Sequence, residues 1–260
     1  MDIHSLSELE RRLAGMTVGR KIHFLESTDS TNTVALNLAA GGAVEGEVVI
    51  ADHQTEGRGR IAGRRWLSPP GRNLYLTVIL RPALNPARAS SITLMAGVAV
   101  ADVLDLFCSG RVKLKWPNDI LIDNRKVSGI LTEMRMKGNE IDCIVVGIGV
   151  NILMERDDFD PAFRDRATSL REASPNPPER IRLTESILRS LDHWYRLFIK
   201  EGFDPVKQRW LRLAFMEGQQ VVVEDRGSRQ SGQVLGIDDE GVLILRSGEG
   251  QVLRILSGDV

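Results

Sequence analysis

A chain of 260 residues with 42% hydrophobic and 27% charged side chains can bury a sizeable core, as one large domain or a medium domain carrying a small one. Its formal net charge of -1 excludes a whole-protein field that would draw in nucleic acid or a membrane surface, so any basic patch must serve a local purpose. Its two cysteines, Cys108 and Cys143, lie in apolar runs and read as core residues of a reducing compartment rather than a disulfide. No stretch reaches the roughly 18 uncharged residues expected of a membrane span, and the expectation is a cytoplasmic protein.

Residues 5–14 have helical spacing and end at Gly15, and residues 22–26 read as a strand. Ser30 or Thr31 is placed to cap a helix through residue 40, closed by Gly41-Gly42. A buried strand is expected at 48–52, then a long irregular arginine-rich loop over 53–72, then a strand from Asn73. Residues 86–107 open on a proline and carry the apolar stripe Leu94, Val98, Ala101, Val103, Leu104 and Phe107, which predicts a buried helix. Four strands should follow, with turns at Pro117-Asn118-Asp119, Asp123-Asn124 and Gly138-Asn139. Residues 155–178 hold four of the ten prolines and read as a loop outside the packed structure. An amphipathic helix from Pro178 to Lys200 presents Ile181, Ile187, Leu191, Trp194 and Phe198 on one face, and a shorter helix is expected at 205–215. Four short strands separated by Gly, Asp and Ser turns then suggest a small all-β barrel, which puts a domain boundary near residue 216.

Five clusters could carry chemistry. The long loop holds Arg58, Arg60, Arg64, Arg65 and Arg72 among Gly57, Gly59, Gly63 and Gly71. Guanidinium groups bind phosphate or carboxylate through paired hydrogen bonds, and glycine lets backbone approach a ligand. A solvated basic loop is the alternative. Lys115-Trp116-Pro117-Asn118-Asp119 offers an Asp at a turn that could hold a metal or a ribose, or an ordinary Asx turn. Lys126 enters the apolar run Val127–Leu131, pointing either into a pocket or out of a hairpin. Gly147 and Gly149 thin a strand just before Asn151, as a close approach or a bulge would require. Ser27–Asn32 gathers more hydroxyls and amides at a helix start than N-capping explains. His4, His23, His53 and His193 have no metal-ligand spacing, and Walker, GxGxxG and GxSxG motifs are absent.

In their order, DSTN (29–32), ADHQTEGRGR (51–60), KWPND (115–119), RKVSGIL (125–131) and GIGVN (147–151) closely resemble the bacterial biotin–protein ligases. The resemblance spans nearly the whole chain. It implies an α+β fold: a mixed-sheet catalytic domain over 1–215, related to class II aminoacyl-tRNA synthetases, and an SH3-like barrel over 216–260. It implies two steps, in which biotin and Mg-ATP give biotinyl-5'-adenylate, and a lysine of a biotin carboxyl carrier domain, as in acetyl-CoA carboxylase, then takes the biotinyl group. Residue by residue, Ser30, Thr31, Asn32 and Gln54 match the positions that hold biotin's ureido head. Gly57, Arg58, Gly59 and Arg60 match the loop that closes over carboxylate and phosphate, and Lys126 matches the lysine at the carboxylate. By the same resemblance Arg58, Arg60 and Lys126 are the catalytic set, Gly129 and Gly149 form the pocket floor, and Lys115, Trp116, Asn118, Asp119 and Asn151 lie at the nucleotide end. Asp119 is the expected Mg2+ ligand there.

Three departures stand out. Relatives commonly read GRGR-x-GR-x-W, whereas Ile61-Ala62 here adds one residue before Gly63-Arg64-Arg65-Trp66. Many relatives also continue past the final Gly-Asp-Val, so a nucleotide contact from such a tail is expected to be missing or supplied elsewhere. Only about 20 residues precede the first strand, against the winged helix-turn-helix of relatives that double as repressors, so a monofunctional ligase without DNA binding is expected. Rival readings are a lipoate or octanoate ligase, a nucleic-acid-binding module, and a non-enzymatic biotin sensor. The oligomeric state stays open, a homodimer included.

Overall fold

A computed structural model describes residues 3–61, 63–225 and 227–260, with the backbone alone for Ile3 and His4. In chain order its elements are α1 (Ile3–Arg12), β1 (Lys21–Thr28), α2 (Thr31–Ala40), β2 (Glu47–Gln54), β3 (Asn73–Leu80), α3 (Ser90–Cys108), β4 (Val112–Lys115), β5 (Asp119–Ile122), β6 (Arg125–Lys137) and β7 (Glu140–Asn151). After these come α4 (Leu170–Ala173), α5 (Arg180–Glu201), α6 (Asp204–Leu213), β8 (Gln220–Asp225), β9 (Ser228–Ile237), β10 (Leu243–Arg246) and β11 (Val252–Ile255).

The first seven strands make one mixed sheet in the order β1-β2-β3-β7-β6-β5-β4. Only β1 and β2 run parallel, because α2 carries the chain back between them; the remaining neighbours are antiparallel. Strand side chains alternate between faces, and β3 is buried on both. Leu74, Leu76, Val78 and Leu80 join the core formed with α3 and α5, whereas Ile79 meets Ala35 and Ala39 of α2 on the opposite face with Val49, Cys143 and Val145. The span Pro86–Cys108 is apolar and long enough to cross a membrane, but it carries Arg88, Asp102 and Asp105, and 72% of its apolar window is buried within the fold. It is a core helix.

Residues 155–178 also correct the sequence reading, which set them outside the packed structure. Thr168, Ser169 and Leu170 are buried. Thr168 N–H donates to the Lys126 carbonyl, Asn151 Nδ2 donates to the Thr168 carbonyl, and Ser169 Oγ donates to Met154 O. The segment therefore serves as an extra edge beside the start of β6, where β7 has not yet begun to pair. Its polar composition hid this, because backbone partners satisfy the buried groups.

The last four strands form an antiparallel sheet, β11-β10-β9-β8, and a backbone pair between Glu224 and Asp259 returns the chain beyond β11 to β8. Its apolar residues, Val234, Leu243 and Leu245 among them, belong to the same continuous core as the main sheet. At the turn before β10, Asp238 accepts the backbone N–H groups of Glu240 and Val242 and two guanidinium bonds from Arg254. Burial alone would raise its pKa, but these donors outweigh burial and hold it below the ordinary carboxylate value. A depressed carboxylate stabilises the fold above its unfolded-state pKa, and that contribution is lost as pH falls through the folded one. Asp238→Asn should therefore cost about 1 kcal/mol at pH 7, and thermal melts should show the gap to the parent shrinking below about pH 4. A gap independent of pH would remove the charge from this account.

Candidate active site

The site lies on the α2 face of the sheet, just beyond the helix N-terminus. Along β7 the positions facing α2 read Cys143, Val145, Gly147 and Gly149, so side chains fill the space under α2 and then vanish. The register sets Tyr75, Gly149 and Gly129 side by side, with Thr77, Gly147 and Leu131 in the adjacent row. Three central strands thus expose a shallow glycine floor. A Cβ on Gly149 would stand 2.5 Å from the Trp66 indole, and one on Gly147 2.2 Å from Asn32 Oδ1. Both are close approaches rather than bulges. The surrounding cavity, about 60 Å³, is narrow because Trp66 lies across it.

Lys126 reaches this floor through an irregularity in pairing. Ile120 pairs with Ser128 and Leu121 with Lys126, leaving Val127 as an extra residue in β6. Such a bulge re-aims side chains. Lys126 and Gly129 would otherwise point to opposite faces, yet Lys126 Nζ would lie 3.3 Å from a Cβ on Gly129. Nζ also sits 2.5 Å from Asp119 Oδ1 and 5.4 Å from the centre of a Trp66 ring.

The arginine loop is more ordered than its composition suggests. Trp66 N–H donates to Gly57 O, Gly59 N–H to Arg64 O, and Arg58 pairs with Arg65, so residues 57–59 and 64–66 form the two arms of a short hairpin folded over the cavity. Gly57 is required there, since a Cβ would meet Trp66 O at 2.5 Å. Arg58 and Arg60 line the cavity. Arg58 Nη2 is 3.2 Å from Glu133 Oε2, Arg60 Nη2 donates to Gly258 O at 2.6 Å, and Arg64 pairs with Asp259 at 2.6 Å. The last residues of the second sheet therefore hold the hairpin. Arg72 instead supports the chain after β7 through Leu153 O. In the Ile61-Ala62 insertion, Ile61 O accepts the Arg64 N–H, while Ala62 lies outside the described residues.

Ser30, Thr31, Asn32 and Gln54 gather at the other end of the cavity. Ser30 makes no side-chain capping bond, contrary to one reading of its position. Gln54 takes that part: its Oε1 accepts the Thr31 N–H at 2.9 Å and the Thr31 hydroxyl at 3.1 Å, while Nε2 donates to Ser68 Oγ. Asn32 Nδ2 donates to Leu131 O and, at 2.7 Å, to Glu133. Thr77 Oγ1 lies 2.7 Å from Asn32 Oδ1 and 2.8 Å from Thr31 Oγ1. Tyr75, whose phenol burial holds well above its ordinary pKa, remains a donor, to Pro69 O.

The expected nucleotide end is less uniform. Asn118 lines the cavity, its backbone and amide both bonded to Ile130. Trp116 and Asn151 do not line it. Trp116 is buried in the core with its indole N–H on Gly241 O, and the Asn151 amide is spent on Thr168. Lys115 is half-buried on β4. Asp119 is engaged by Lys126, and among the described residues no three His, Cys, Asp or Glu side chains are grouped to hold a metal. The residues thus form no Mg2+ cage. A larger open cleft of about 740 Å³ lies beside α5, but it holds none of the motif residues, and its Arg81 is committed to backbone carbonyls of the fold.

Trp66, Tyr75, Thr77 and Glu133 were not singled out from the sequence as site residues. For Glu133 a signal existed: one acid inside an apolar strand, at even spacing from Gly129 and Leu131.

Residues 24–151 match the Biotin/lipoate A/B protein ligase family, and residues 218–260 match the biotin protein ligase C terminal domain. The chain is 36% identical over 256 residues to the bifunctional ligase/repressor BirA of Bacillus subtilis, covering 98% of this chain and 78% of that protein. It is 34% identical over 233 residues to the biotin--[acetyl-CoA-carboxylase] ligase of Paracoccus denitrificans, covering 87% and 95%. The biotin protein ligase of Aquifex aeolicus, solved in complex with biotin and ATP, aligns with a TM-score of 0.77 at 28% identity over 92% of this chain and 97% of that one.

Proposed function

The chain belongs to the biotin protein ligases, and on that premise we propose that it joins biotin to ATP as biotinyl-5'-AMP and then passes the biotinyl group to a lysine of a carboxyl carrier domain. The observation that carries the reading is the glycine floor with Lys126 at its side and an arginine hairpin folded over it. A flat fused-ring ligand needs a floor without side chains, and Ser30, Thr31, Asn32 and Gln54 are suited to its polar head.

In the first step a biotin carboxylate oxygen attacks the α-phosphorus of ATP and pyrophosphate leaves. Negative charge then accumulates on acyl and phosphoryl oxygens, where Lys126, Arg58 and Arg60 are fixed cations that need little reorganisation. In the second step the carrier's lysine nitrogen attacks the acyl carbon, AMP leaves with the bonding pair, and the nitrogen gives up its proton. Between the steps water must be kept out, because an acyl-adenylate hydrolyses, and the hairpin with Trp66 is placed to do so. We assign Asn118 and Lys115 to the nucleotide side. Mg2+ would accompany the ATP phosphates.

We further propose kinship to the class II synthetases, a barrel form for residues 216–260 set off from a catalytic domain over 1–215, and a cytoplasmic setting that suits two buried free cysteines. Acetyl-CoA carboxylase or a related carboxylase supplies the expected carrier. The test is ATP–pyrophosphate exchange with biotin, lipoate and octanoate in parallel. Exchange should depend on biotin, and exchange with lipoate alone would move the chain to the lipoate side of the family.

A further inference from the structure

We propose that Trp66 is an internal plug: its indole occupies the glycine floor that the ligand needs, so the ligand enters only when the hairpin lifts the ring away. The inference rests on the biotin ligase reading above, which uses Trp66 only as a cover between the two steps.

The indole is seated on the floor. A Cβ on Gly149 would stand 2.5 Å from its Cε2, 2.6 Å from Nε1 and 2.9 Å from Cζ2, and one on Gly129 would stand 3.2 Å from Cζ3. Three neighbouring ring atoms at such similar distances from one point turn the face of the ring, not its edge, toward Gly149. The pyrrole side covers Gly149 and the benzene side reaches Gly129, so one indole spans both glycines. The space left beside it is about 60 Å³, whereas sites for small molecules run to about 300–1,000 Å³. A fused bicycle and the indole cannot share this floor, and the hairpin must therefore have a second position.

What holds the ring in place lies mostly at the rim. Lys126 Nζ stands 5.4 Å from a Trp66 ring centre, and the Trp66 N–H bonded to Gly57 O fixes the side chain to the hairpin. The hairpin is fastened by Arg58 to Glu133, by Arg60 to Gly258 O and by Arg64 to Asp259. Arg58 and Arg64 are about half exposed, and ion pairs in contact with water contribute little each. At the floor, indole Nε1 is buried without a hydrogen-bond partner among the described residues, and a buried donor left unpaired weakens the seat. The ring is lodged by apolar contact on a hairpin with exposed fastenings, which is the construction of a plug made to leave.

Such a plug acts on entry. Only the lifted form accepts the ligand, so binding is reduced by the fraction of molecules in that form, and minor states of this kind are populated at about 10% or less. A residue that merely covers the bound ligand slows its exit and leaves entry alone. Association and dissociation rates therefore separate the two roles.

The test measures association of radiolabelled biotin with the full chain by rapid mixing, without ATP. Trp66→Ala empties the seat and should associate at least tenfold faster than the parent at equal biotin concentration, with faster dissociation because the cover is gone too. Asp259→Ala keeps the indole but unfastens Arg64. It should quicken association severalfold while Trp66 is present and add nothing in the Trp66→Ala background, and alone it covers the case in which Trp66→Ala fails to fold. An association rate unchanged in either single variant, or quickened by Asp259→Ala to the same degree with and without Trp66, would overturn the inference and leave the ligase reading intact. A parent protein that binds no biotin would overturn the ligase reading first.

Discussion

Lys126→Ala is expected to weaken biotin and biotinyl-adenylate binding at least tenfold and to slow adenylation, as read by calorimetry and by single-turnover pyrophosphate release. Its ammonium is the cation nearest the glycine floor, aimed there by the extra residue at Val127 and steadied by Asp119 at 2.5 Å. A hydrogen bond to a charged group contributes about 1.5–3 kcal/mol, and about 1.4 kcal/mol is a factor of ten. The substitution also leaves Asp119 without its partner and Trp66 without the cation over its ring. Arginine should not restore full activity, because its planar fork cannot occupy the place of a compact ammonium against Gly129. An unaltered adenylation rate in the alanine variant would take Lys126 out of the site.

Gly147→Ala is the second large effect. The added carbon would fall 2.2 Å from Asn32 Oδ1 and 2.9 Å from its Cγ. Asn32 cannot yield easily, since Glu133, Leu131 and Thr77 hold it from both sides. Overpacking of this kind costs about 1–3 kcal/mol, and displacing Asn32 should lower biotin affinity more than tenfold. Gly129→Ala offers an internal comparison. Its neighbours are Lys126 Nζ and Cε and the edge of Trp66 at 3.2 to 3.3 Å, groups that can shift by a few tenths of an ångström. Calorimetry and thermal melts on the pair should rank Gly147→Ala as the more damaging in both. The reverse ranking would mean that the polar network is softer than its geometry.

Most of the fold was legible because periodicity carries it: β3, β7, α3 and α5 have patterns that nothing in their surroundings contradicts. The glycine floor was legible in outline, since Gly147 and Gly149 interrupt an apolar strand. What sequence reasoning could not reach is what depends on register. The bulge that turns Lys126 inward is a property of two strands together, and no single-strand pattern records it. The hairpin within residues 57–66 was hidden because its residues carry no strand pattern; a ladder this short is made by backbone bonds and two tolerant glycines. The packing of Trp116 was out of reach for a related reason: its motif fixes a turn after β4, but where the indole goes is decided by the turn between β9 and β10, whose Gly241 carbonyl receives its N–H. Glu133 was overlooked because an acid near the end of a long strand ordinarily meets solvent.

The hairpin's anchors have a consequence for how such a protein can change over time. Arg60 and Gly258 are 198 residues apart in the chain, and Arg64 and Asp259 are 195 apart. A terminal sheet exchanged with that of a relative would arrive with its own residues at the latch, and it would fit only where they suit the arginines already present. The two sheets look like separable modules. At this contact they can vary only in step.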